Sequence, residues 1–134
     1  MTTPTETAAP EGIRWGRVIV GGLLVEVVLG VITGLAYGLD RLDELYQWVM
    51  LATVVSALLA GAWTGRGVSR PVLHGALAGV AAILLYAVIA VIGLYAAPDQ
   101  VNVETLVLPE NLVTHALKVV AAAAGAWLVG RKAA

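Results

Sequence analysis

Four stretches of this chain, residues 15–38, 45–65, 72–97 and 112–130, are too apolar and too poor in charge to be surface helices of a water-soluble domain. Each reaches or approaches the roughly 20 residues that a helix needs to cross about 30 Å of hydrocarbon at about 1.5 Å per residue. The second has no charge between Tyr46 and Gly65 and the third none between His74 and Ala97, so neither has a polar face for water. Hydrocarbon offers no partner to backbone N–H and C=O groups, which leaves helices as the economical way across. The expected fold is an all-α, integral membrane four-helix bundle with helices over about 15–38, 42–66, 71–97 and 111–131. The composition, 60% hydrophobic against 13% charged, fits that use of the chain. A signal peptide before a soluble domain is the competing reading. It fails because the first apolar run follows a polar stretch, is too long for a leader and carries Glu26 at its centre.

The charges orient the bundle. Six of the eight basic residues lie before the first span (Arg14, Arg17), between the second and third (Arg66, Arg70) and after the fourth (Arg131, Lys132). The other two connections hold Asp40, Asp43 and Glu44 with Arg41, and Asp99, Glu104 and Glu110. Lysine and arginine are retained on the cytoplasmic side, so both termini are expected in the cytoplasm of a cell-membrane protein, with the acidic connections outside. Residues 1–12, rich in Thr, Pro, Glu and Ala, read as a disordered cytoplasmic tail, and residues 13–134 as one four-span domain.

Local signals place the connections. Trp15 with Arg17, and Trp63 with Arg66, are expected at the inner interface, with Tyr37, Tyr46 and Trp48 forming an outer aromatic belt. Asp40 is expected to cap a helix beginning at Arg41, Pro71 to start the third helix, and Asn111 to cap the last. The alternation of Val101, Val103, Thr105 and Val107 suits extended chain or a short interfacial segment. Gly61-Ala62-Trp63 recurs as Gly125-Ala126-Trp127, and Gly34-Leu35-Ala36-Tyr37 resembles Gly93-Leu94-Tyr95. Two repeated helical hairpins would produce this pattern, and chance recurrence of Gly, Ala and interfacial Trp is the alternative.

Glu26 is the residue that demands an explanation. Nine residues inward from Arg17 it lies about 13 to 14 Å deep, near the bilayer midplane, where a carboxylate costs roughly 2.5 to 3.5 kcal/mol unless paired, protonated or watered. Lys118 on the last helix is its natural partner, with His115 one turn away on the same face. Snorkelling of Lys118 toward the headgroups is the alternative. Small residues are expected to let the helices approach closely: Gly22, Gly30, Gly34 and Gly38 in register with Glu26 on the first helix, Gly61 on the second, Gly75 and Gly79 on the third and Gly125 on the fourth. Such faces suit a compact monomer or a homodimer. His74, just inside the third helix, is expected to form interfacial hydrogen bonds.

No zinc-protease, P-loop or dinucleotide motif is present, and the chain has no cysteine. Two histidines without further ligands do not specify a metal, and the basic residues are too few for a nucleic-acid surface. No enzyme activity, cofactor or nucleic-acid partner is therefore expected. The stretch Leu23-Leu24-Val25-Glu26-Val27-Val28 resembles the first helix of the small multidrug resistance exporters, four-helix proteins whose membrane glutamate exchanges protons for cationic drugs. That resemblance implies a titrating role for Glu26. The long outer loop, the basic bias and Lys118 depart from that family, because a lysine near Glu26 would repel a cationic substrate. Two functions follow as expectations. One is a non-enzymatic scaffold or accessory subunit, bound to lipid and to a second copy or another membrane protein. The other is a proton-coupled transporter or proton-conducting oligomer.

Overall fold

The computed structural model describes residues 12–99, 103–106 and 108–131. Its helices are α1 (Trp15–Gly38), α2 (Leu42–Thr64), α3 (Pro71–Ala96), the single turn α4 (Val103–Leu106) and α5 (Pro109–Gly130). All but α4 are long and apolar enough to cross a membrane. The shortest of these, α5, has 22 residues, about 33 Å at about 1.5 Å per residue. The described residues contain no strand. The tail expected over 1–12 lies outside the described residues apart from Gly12, as do Val101, Val107 and Lys132.

Small residues lie inside this bundle and large ones outside. The buried apolar positions are dominated by alanine, among them Ala57, Ala60, Ala78, Ala82, Ala121, Ala122 and Ala126, with Val18, Val25 and Leu29 from α1. Val27, Leu35, Leu59, Leu84, Ile92 and Val120 instead point outward and are largely exposed. A water-soluble bundle buries its large aliphatic side chains, whereas a membrane bundle leaves them to lipid and gains cohesion from close backbone approach.

The packing order is α1, α2, α5, α3 around the bundle. α2 and α3 each lie against both α1 and α5 and meet one another across the middle, while α1 and α5 occupy the long diagonal and hardly touch along their backbones. α2 and α5 run in the same direction and cross where a Cβ added to Gly61 would meet the Ala122 carbonyl and one added to Gly125 the Leu58 carbonyl. Each glycine thus seats on the carbonyl three residues before the other. The packing around this crossing does not repeat in the same way, since α2 packs on α3 whereas α1 and α5 scarcely touch.

The connections correct two of the capping expectations. Asp40 does not cap α2, whose N-cap is Arg41 with no side-chain capping bond. Asp40 adopts φ 53° and terminates α1. Its N–H donates to the Tyr37 carbonyl (3.0 Å) and the Arg41 N–H to the Ala36 carbonyl (3.0 Å). This paired pattern is a Schellman motif, with an aspartate in the left-handed position usually held by glycine. Asn111 does not cap α5. The helix begins earlier at Pro109, with Leu108 as N-cap, because a proline in the first helical position needs no amide partner. Pro71 plays the same part in α3. Gly67, at φ 62°, turns the chain between α2 and α3.

Candidate functional site

The polar centre of the bundle is built by α3, which holds both helices of the long diagonal. On one side α1 docks at Gly22, where an added Cβ would lie 2.7 Å from the Ala82 nitrogen and 2.8 Å from the Ala81 Cβ. On the other, α5 docks at Gly79, where an added Cβ would lie 2.6 Å from the Val119 Cα and 2.9 Å from the Lys118 carbonyl oxygen. These approaches leave a gap between α1 and α5 that side chains must bridge. Helical side chains tilt toward the N-terminus of their own helix, and Glu26 stands one turn beyond the Gly22 contact while Lys118 lies at the Gly79 contact, so on these oppositely running helices the two lean toward one another.

They meet. Lys118 Nζ donates to Glu26 Oε1 at 2.5 Å, with the two residues only 2% and 7% exposed. Lys118 is directed into the bundle and does not snorkel outward. Its ammonium also lies 5.2 Å from the centroid of the Tyr86 ring on α3, a cation–π distance. Tyr86 stacks obliquely on His115, centroid to centroid 4.6 Å. His115 Nδ1 is buried and has no hydrogen-bond partner among the described residues. Sequence reasoning reached Glu26, Lys118 and His115 but missed Tyr86. An aromatic in a helix of high apolar content gives no spacing signal, and only the packing of α3 on α5 brings it to the site.

Of the glycines expected at helix contacts, Gly22, Gly61, Gly75, Gly79 and Gly125 all face a neighbouring helix too closely to admit a Cβ freely. Gly30, Gly34 and Gly38 do not, since nothing lies within 4 Å of a Cβ added to any of them. The reason is rotational. A four-residue step turns about 40° past a full circle, so a stripe beginning at Gly22 has left the buried face within three steps. The buried side of α1 instead follows Val18, Gly21, Gly22, Val25, Glu26 and Leu29, a band in which every residue has a buried neighbour three or four positions away. Gly21, against Thr64 and Ala78, was not foreseen.

A second polar cluster ties the end of the bundle at which α1 begins. His74 is buried, its Nδ1 2.8 Å from the Arg70 carbonyl and its Nε2 3.1 Å from the Arg14 backbone nitrogen. A carbonyl only accepts, so Nδ1 carries the proton and Nε2 accepts the Arg14 N–H. Arg17 Nη1 donates to the Arg66 carbonyl at 2.7 Å, so the beginning of α1 is fastened both to α3 and to the turn after α2. At the other end Arg41 and Glu44 form an exposed ion pair at 2.6 Å, of a kind worth about 0–1 kcal/mol.

Among the described residues no three His, Cys, Asp or Glu side chains gather into a group that could hold a metal ion. No family model, curated protein or solved structure matches this chain. The geometry that remains is a bundle with four helices suited to a multi-pass membrane protein, locked across its diagonal by a buried ion pair.

Proposed function

We propose that this chain is a non-enzymatic multi-pass membrane protein that serves as a scaffold or accessory subunit. The observation that carries the reading is the Lys118–Glu26 pair, which joins the two helices that otherwise scarcely touch. Both charges are satisfied by each other and nearly removed from solvent, which suits a structural tie better than a group that must exchange protons or ions with water. The charge distribution supports a cell-membrane location with both termini in the cytoplasm, and a reporter fused after Lys132 should then be found inside. Partners in this reading are the lipid bilayer and either a second copy or another membrane protein, without nucleic acid or cofactor. The doubled Gly-Ala-Trp segments support descent from two helical hairpins.

A proton-coupled transporter or proton-conducting oligomer is the second reading. It draws on His115, whose Nδ1 has no partner among the described residues, and on Tyr86, which place further titratable groups beside the pair. The two readings separate in vesicles reconstituted with wild type and Glu26→Gln under an imposed pH gradient. A scaffold shows no proton-coupled flux that depends on Glu26. Loss of such flux in a correctly folded Glu26→Gln protein overturns the scaffold reading, and unchanged flux overturns the transporter.

A further inference from the structure

A groove of about 410 Å³ runs between α1 and α2 on the outside of the bundle. Its α1 wall includes Leu24 and Val28 and its α2 wall Ala52, Ser56, Leu59 and Trp63. The lining is compatible with hydrocarbon throughout, because the Ser56 hydroxyl donates to the Thr53 carbonyl of its own helix at 3.1 Å. From Ala52 to Trp63 the groove covers about 16 Å at about 1.5 Å per residue, half of an about 30 Å hydrocarbon core. It is therefore one leaflet deep.

Both walls end in an arginine. On the α2 side Arg66 follows Trp63 by three residues, in the turn after the helix ends at Thr64, and on α1 Arg17 stands a heptad before Leu24. The structure joins the two, with Arg17 Nη1 donating to the Arg66 carbonyl. That bond uses one of the five donors of Arg17, while the Arg66 side chain is exposed. A one-leaflet apolar groove with two arginines just beyond its interfacial end, the Arg17 guanidinium held on the Arg66 backbone carbonyl, matches the shape and charge of an acyl chain attached to a phosphate. We propose that this groove binds an anionic phospholipid, one acyl chain lying along α1 and α2 and the phosphate held by Arg17 and Arg66. The proposal holds for either the scaffold or the transporter reading, since it uses none of the groups at the Glu26 centre.

Trp63 lines the groove and reports on it. The test uses the full chain with Trp15, Trp48 and Trp127 replaced by Tyr, in nanodiscs that contain either phosphatidylglycerol or phosphatidylcholine with the same dibrominated chains. Brominated phosphatidylglycerol should quench Trp63 at a mole fraction lower by on the order of tenfold, as two arginines near a lipid phosphate imply. Arg66→Gln keeps the backbone carbonyl that Arg17 uses, and should remove most of this preference with unchanged helix content. Arg131→Gln, outside the groove, should keep it. Ser56→Leu fills the groove and should weaken quenching by both lipids. Equal quenching by the two lipids in the parent chain overturns the proposal, as does a preference that survives Arg66→Gln. Absence of quenching by either lipid, with a change of particle size in Ser56→Leu, overturns it in favour of a second copy of the chain in the groove.

Discussion

Replacing Gly61 with alanine tests whether close backbone approach, and not side-chain burial, holds this bundle together. The new methyl would sit against the Ala122 carbonyl, 2.6 Å from the Ala122 Cα. Carbon atoms settle at about 3.5–4.0 Å, so α2 and α5 would have to part by about 1 Å. The reciprocal contact of Gly125 with Leu58 would open with them, and Ala57, Ala121 and Ala122 in the same cluster would lose packing. Overpacking of this kind costs about 1–3 kcal/mol, more where the obstacle is backbone. Gly30→Ala is the internal control, because nothing lies within 4 Å of its added methyl. Glycine to alanine within a helix gains about 0.8–1.0 kcal/mol from propensity. That gain is common to both variants and cancels in the comparison. Gly61→Ala should therefore unfold more readily than Gly30→Ala by about 1–3 kcal/mol. Helix content followed by circular dichroism during titration with a denaturing detergent measures the difference. If Gly61→Ala proves as stable as Gly30→Ala, the close crossing of α2 and α5 is not what stabilises the bundle.

The same assay reads four further substitutions and one double variant. Lys118→Met or Glu26→Gln alone leaves its partner buried without its counter-charge, and Lys118→Met should cost about 3–5 kcal/mol, whereas the double variant should be closer to wild type than Lys118→Met. Additive losses would show that the pair is not coupled. Asp40→Gly relieves a left-handed aspartate and should stabilise the end of α1 by up to about 1 kcal/mol, while destabilisation would mean that the Asp40 side chain contributes more than its backbone costs. His74→Phe removes the acceptor of the Arg14 N–H and should cost about 1–3 kcal/mol. Unchanged stability would show that this hydrogen bond is replaceable by water.

Composition and charge alone were enough to set the architecture and to show that Glu26 needs a partner. Long uncharged apolar runs leave a chain few choices when every backbone polar group needs an internal partner, so the helices of the bundle were legible to within a few residues. The charge on Glu26, set at the middle of such a run, announced the need for a counter-charge, and Lys118 is the only basic residue within the later spans. Helix packing settles what periodicity leaves open. Which face of α1 turns inward depends on how α3 meets it, so the glycine stripe that begins at Gly22 and Glu26 drifts outward at Gly30, while the less regular path through Gly21, Val25 and Leu29 is buried. Helical spacing repeats only approximately, and a drift of about 40° per step is invisible until a neighbour fixes the reference direction. The same packing set α1 and α5 on opposite corners and brought Tyr86 to the lysine. It also turned an expected cap into a helix terminator at Asp40, through carbonyls of Ala36 and Tyr37 that only the folded turn presents.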